Sequence, residues 1–220
     1  MYKKLFIIFL MSLGLILLFP PLPEKALFTS VFRVTEKPVA ITRGTFGSAL
    51  TINISFGDDD IALWVQELKK PYPLLFVDMD WASRYPETVR LINEKNIPTG
   101  LLGSNGVTYE EDTTLLLNQI ESFEKFFGVK PLWFRTADEI FPFFLHSMLI
   151  EAEINALGSS FKWQGGDIPP MTDGEIISVP HHRASRVQLI ELKRLFDSRD
   201  FHSIEDVIFG TTVSTKKITG

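Results

Sequence analysis

From Val39 onward the chain switches repeatedly between a two-residue and a 3.6-residue hydrophobic period. In "VAITRGTFGSALTINISF", Val39 and Ile41, then Leu50, Ile52, Ile54 and Phe56, alternate with other positions. That pattern predicts a strand, a glycine turn and a second strand. "DIALWVQELKK" reads as a short helix and "YPLLFVDM", bounded by proline, as a buried strand. "SRYPETVRLINEKN" predicts a helix capped by Ser83, with Tyr85, Val89 and Ile92 on one face. "IPTGLLGSNG" is a strand breaking into a glycine loop. In "TYEEDTTLLLNQIESFEKFFG", Thr108 and Glu111 have capping-box spacing. Leu116, Ile120, Phe123 and Phe127 form an apolar face there, and Gly128 ends the helix. "KPLWFR" is a strand, and "FLHSMLIEAEINALG" a helix with Leu145, Met148, Leu149, Ala152 and Ala156 inward. "GEIISVP" is a strand, "SRVQLIELKRLFDSR" a helix and "SIEDVIFG" a final helical turn.

Strands and helices alternate without tandem repeats, which argues an α/β fold with a largely parallel sheet or barrel. In such folds the loops after the strands carry the chemistry. "GDDD", "GSNG", "RTADE" and "PHHR" all lie there.

The first 25 residues follow neither period. Lys3 and Lys4 precede an unbroken apolar run from Leu5 to Phe19, a basic region followed by a hydrophobic one. With Pro20, Pro21 and Leu22 the segment 5–22 reaches the short end of a membrane span. Glu24 stands where a cleavage signal ending at Ala26 needs a small residue. The expectation is an uncleaved signal-anchor over 1–25, with the 26–220 domain outside; the alternative is a cleaved signal peptide and a secreted domain.

Composition narrows the chemistry. Of 220 residues 45% are hydrophobic and 22% charged, the balance of a globular protein. About 195 residues follow the leader, enough for one domain with a full core. The net charge of −5 gives no footprint for nucleic acid. The absence of cysteine excludes disulfides, thiol catalysis and cysteine-ligated metal. The four histidines are His146, His181, His182 and His202; only His181 and His182 fall on a predicted mouth loop.

The order of loops resembles the polysaccharide deacetylase family built on the NodB homology domain. The family's Thr-Phe-Asp-Asp-Gly is echoed by "SFGDD", its Tyr-Pro-Glu-x-Val helix by "YPETV", and its His-x-x-x-His loop falls on "LGSNG". Its Gly-x-x-Pro-x-x-Phe-Arg-Pro-Pro is matched by "GVKPLWFRTA" through Arg135. "LGSSFKW" and "GEIISVPHH" echo later motifs, the last one residue out of step. The resemblance covers roughly residues 40–210 and implies a distorted (β/α) barrel of the polysaccharide deacetylase type, preceded by the N-terminal apolar helix.

It also implies N-deacetylation of glycans by a divalent metal, usually zinc, held by one Asp and two His, with an Asp base oriented by an Arg and a late His as acid. Here the base position holds Gly57, the metal Asp is Asp58, the two metal His are Leu102 and Gly106, and the orienting Arg is Arg135. Without imidazoles one carboxylate does not hold zinc, so no cofactor and no catalytic residue are expected. The fallback is a rebuilt zinc or other divalent site of Asp58, Asp59, His181 and His182, with Arg135 in support. Adjacent residues of an extended chain point to opposite faces, so both imidazoles would reach one metal only through a bent backbone.

The plainer alternatives are a solvated helix start for "GDDD" and an Arg135–Asp58 ion pair. Phe141, Phe143 and Phe144 read as core rather than a sugar platform. Trp64, Trp81, Trp133 and Trp163 read as partly buried, with one at the rim available to stack on a sugar. Arg135 and Asp138 are the candidates for contact with a glycan. The resulting expectation is a membrane-tethered, extracytoplasmic deacetylase-like protein that has lost catalysis and binds cell-wall glycan or an envelope protein. The alternatives are an active carbohydrate N-deacetylase with a rebuilt site, and a structural envelope or sporulation module without a glycan site.

Overall fold

The computed structural model describes residues 39–57, 59–182 and 185–210, Asp59 by its backbone alone. The predicted leader and Asp58 lie outside the described residues. Seven strands and eight helices follow one another along them. The strands are β1 (Ser48–Ile54), β2 (Leu74–Asp78), β3 (Thr99–Gly103), β4 (Trp133–Thr136), β5 (Asn155–Ala156), β6 (Phe161–Lys162) and β7 (Glu175–His181). The helices are α1 (Asp59–Glu67), α2 (Met79–Arg84), α3 (Pro86–Glu94), α4 (Thr108–Glu111), α5 (Leu115–Phe127), α6 (Phe143–Glu151), α7 (Leu189–Phe196) and α8 (Ile204–Phe209). Every strand pair is parallel, in the order β5-β4-β3-β2-β1-β7-β6. The predicted parallel α/β architecture is present.

The sheet curls until its edges share one stretch of chain. Asn155 and Ala156 pair with β4, while Phe161 and Lys162 pair with β7. Between them the Leu157 N–H donates to the Phe134 carbonyl and the Ser160 N–H to the Ile176 carbonyl. Residues 155–162 therefore run from one edge of the sheet to the other. A second sign is Arg135 of β4, whose Nη1 lies 2.7 Å from Thr51 Oγ1 of β1. Three strand spacings of a flat sheet amount to about 14 Å, beyond an arginine's reach.

Period two divides each strand between two cores. Leu50, Ile52 and Ile54 of β1, Leu75 and Val77 of β2, and Ile177 and Val179 of β7 pack in one cluster with Val65, Val89, Ile92, Phe123, Leu149 and Leu192 from the helices. Thr51, Asn53, Phe76, Leu102, Arg135 and Ser178 alternate with them, are buried and stand outside that cluster; they fill the concave side.

Several local expectations are corrected. Ser83 does not cap a helix: its hydroxyl donates to the Asp80 carbonyl within α2, and Asp78 caps α2 by accepting from the Trp81 N–H at 2.8 Å. Pro86, without an N–H, begins a separate helix, α3. The Thr108–Glu111 capping box does not form. Val107 holds the cap position of α4, and the Asp112 carboxylate takes the Thr114 N–H at 2.9 Å, which separates α4 from α5. The helix after β4 stops at Glu151; Glu153 has φ 59, and Ala156 belongs to β5 instead of a helix face. The strand expected around Val39–Ile41 is reduced to isolated bridges at Ile41 and Arg43. β6 has no signal in the hydrophobic pattern, because both its residues are exposed. Gly128 ends α5 with φ 71, as the sequence indicated.

Candidate active site at the barrel mouth

Arg135 is the largest polar side chain in the lumen and has no exposed surface. Its Nε donates to the Leu157 carbonyl (2.9 Å) and Nη2 to the Gly158 carbonyl (2.8 Å). Nη1 donates toward Thr51 Oγ1 (2.7 Å), Asn53 Oδ1 (3.1 Å) and Ser178 Oγ (3.1 Å). The guanidinium carbon lies 4.2 Å from the centre of the Phe76 ring. None of these acceptors is a carboxylate. Burial without a bonded counter-charge draws the Arg135 pKa down to about 10, a fall opposed by the field of Glu139. The expected contact of Arg135 with a glycan is therefore corrected: the side chain lies beneath the floor and ties β4, β1, β7 and the closing segment together. Its expected partner Asp58 is outside the described residues.

Asp138 is a turn residue here. Its carboxylate accepts the Gly106 N–H (3.1 and 3.2 Å) and the Ile140 N–H (3.1 Å), holding the loops after β3 and β4 together. Glu139 beside it adopts φ 59, and its side chain is 8% exposed. Ser159 donates to Oε2 at 2.8 Å, whereas the buried Oε1 has no hydrogen bond and faces Lys162 Nζ at 3.9 Å.

The two adjacent histidines separate. His181 is 3% exposed, and its Nε2 would lie 2.7 Å from a Cβ on Gly57, whose φ is 93. An imidazole thus occupies the space that a base side chain at position 57 would need. Burial first, then the nearby positive charge of Arg186 and His182, lowers the His181 pKa to about 4, with Asp60 opposing. His182 instead bonds through Nδ1 to the Ser55 hydroxyl. Burial lowers its pKa also. Both Nε2 atoms are buried without a partner among the described residues.

A metal does not fit the remaining positions. Leu102 is 1% exposed and offers no lone pair. At Gly106 even a Cβ would stand 2.3 Å from the Ile140 carbonyl oxygen and 2.9 Å from Pro142, so no imidazole can enter on this backbone. Among the described residues no group of three His, Asp or Glu side chains is placed to hold a cation.

All four tryptophans are buried, the most exposed being Trp64 at 9%, so none is a rim platform; the Trp81 indole N–H is bonded to the Gly57 carbonyl at 2.8 Å. Of the three phenylalanines read as core, only Phe141 packs there; Phe143 (76%) and Phe144 (42%) are exposed beside Ile140. Ser55 had no signal for a role. Its partner lies 127 positions away, and only the β1–β7 register brings the two together.

The fold has known counterparts. A family 4 carbohydrate esterase from Bacillus anthracis superposes with a TM-score of 0.64 at 16% identity, covering 88% of this chain and 96% of that one. Bacillus subtilis PdaA, also a family 4 carbohydrate esterase, gives 0.62 at 16% identity over 87% and 92% of the two chains. BA3943 from B. anthracis, a pseudoenzyme of the same family, gives 0.62 at 16% identity over 78% and 69%. The chain has the family 4 carbohydrate esterase fold, that of polysaccharide deacetylases. No family model and no curated protein matches the sequence.

Proposed function

We propose that this chain is a divergent polysaccharide deacetylase-like protein that has lost metal-dependent N-deacetylation and acts in the cell envelope by binding glycan or a partner protein. The observation carrying this reading is the loss of the site from three directions. Leu102 replaces one imidazole, backbone packing at Gly106 forbids the other, and the His181 ring fills the space beside Gly57. A pseudoenzyme already exists on the same fold. The exposed pair Phe143 and Phe144 supports a binding role, since aromatic faces stack on sugar rings.

Acetylated chitooligosaccharides and peptidoglycan fragments are expected to release no N-acetyl groups as acetate, with or without added zinc, cobalt or nickel. Stoichiometric zinc in purified protein, lost on mutating Asp58 together with His181 or His182, would instead establish the rebuilt enzyme.

Tethering through residues 5–22, basic end inside, belongs to the same proposal and rests on the leader's sequence. Among the described residues no helix is long and apolar enough to cross a membrane. The protein should fractionate with membranes; a mature N-terminus near Ala26 or Leu27 in the medium would overturn the tether.

A further inference from the structure

The inward-facing positions of β1 and β7 form two facing rows. Thr51 and Asn53 on β1 and Ser178 on β7 all meet Arg135. Further along the same alternation, two residues past Asn53 on one side and four past Ser178 on the other, come Ser55 and His182, beyond the ends of both strands and toward the mouth. The ladder continues this far, because the Ser55 N–H donates to the His181 carbonyl at 3.1 Å. The Ser55 hydroxyl and His182 Nδ1 are hydrogen-bonded there. Both residues are half-buried rather than sealed.

We propose that Ser55 and His182 form a metal-independent nucleophilic dyad acting on short O-acyl esters. A neutral imidazole with its lone pair on Nδ1 is the base a serine needs, and burial keeps His182 neutral below the usual histidine range. Ser55 Oγ attacks the ester carbonyl while its proton passes to Nδ1. The tetrahedral adduct collapses, the bond to the alcohol oxygen breaks, and that alcohol leaves with the proton from Nδ1. Water then attacks the acyl-Ser55 ester. Nδ1 accepts its proton and returns it to Ser55 Oγ as the acid departs.

Two features favour an ester over an amide. No metal polarises the carbonyl, and an alcohol leaves far more readily than an amine. Because the step needs no metal, it is independent of the N-deacetylation lost above.

The test is to treat the full chain with a fluorophosphonate in the presence of EDTA and map the adduct by peptide mass spectrometry. One adduct at Ser55 is expected, absent in Ser55→Ala. In His182→Gln, with folding checked by its melting transition, labelling should be about 100-fold slower. p-Nitrophenyl acetate should acetylate the same hydroxyl. A second measurement needs no variant: the wild-type labelling rate should stay level from pH 9 to pH 7.5, above the ordinary histidine midpoint, and decline only at lower pH as His182 gains a proton. No Ser55 adduct beyond that of denatured protein, wild-type labelling in folded His182→Gln, or a rate rising with hydroxide across that range would each overturn the dyad.

Discussion

Replacing Arg135 with methionine is expected to lower the stability of the domain by about 3–5 kcal/mol. The side chain has no exposed surface, and its donors reach from β4 to β1, β7 and the closing segment. Methionine matches its length and recovers the cost of burying a charge. It leaves the carbonyls of Leu157 and Gly158 and the Asn53 amide oxygen without their donor. Each orphaned buried acceptor costs about 1–3 kcal/mol. The hydroxyls of Thr51 and Ser178 can rotate toward other partners and should cost less. Lysine keeps the charge but not the planar fork, so Arg135→Lys should recover only part of the loss. Since a domain has roughly 5–15 kcal/mol in all, the methionine variant should unfold at much lower denaturant. A loss below about 1 kcal/mol for Arg135→Met, measured by urea unfolding, would show that the strut carries no net stability.

Acid should weaken the fold through one imidazole in particular. His181 has a folded pKa of about 4 against an ordinary value of 6.5. The folded state therefore resists a proton that the unfolded chain takes up. The direction follows: this contribution is whole above pH 6.5 and is lost as pH falls toward 4. At 1.36 kcal/mol per pKa unit the loss is on the order of 3 kcal/mol. His181→Gln removes the titration, so the difference in stability between wild type and variant should shift by about that amount between pH 7.5 and pH 4.5. A difference that stays flat across this range would mean that the His181 ring is protonated as easily folded as unfolded.

The helices and central strands were legible because each is fixed by local periodicity. Val89 with Ile92, and Leu116 with Ile120 and Phe123, all point into the core. What was not legible depends on pairing between distant parts of the chain. β6 consists of two exposed residues and exists only because β7 is beside it. The lumen was misread for the same reason. "WFRT" in the sequence suggested an arginine aimed at a ligand, and only the curl of the sheet shows it bonded to Thr51, 84 positions away. Gly106 could be read as a missing ligand but not as a packed backbone against the Ile140 carbonyl. Phe143 and Phe144 fall in a run so uniformly apolar that the pattern could not mark them as exposed; the start of α6 turns them outward.

The strand order also bears on how the chain reaches this state. Among the described strands β1 is made first, yet it lies in the middle of the sheet, between β2 and β7. Its second neighbour, β7, is the last of the described strands in the chain, with Ser48 pairing Glu175 and Ile54 pairing His181. During synthesis the hydrogen-bonding edge of β1 therefore stays open until more than a hundred further residues have emerged. Contacts so distant in sequence close slowly, because loop entropy must be overcome before they form. A nascent chain ending before residue 175 would present an apolar, unpaired strand edge, the kind of surface that recruits other chains or a chaperone.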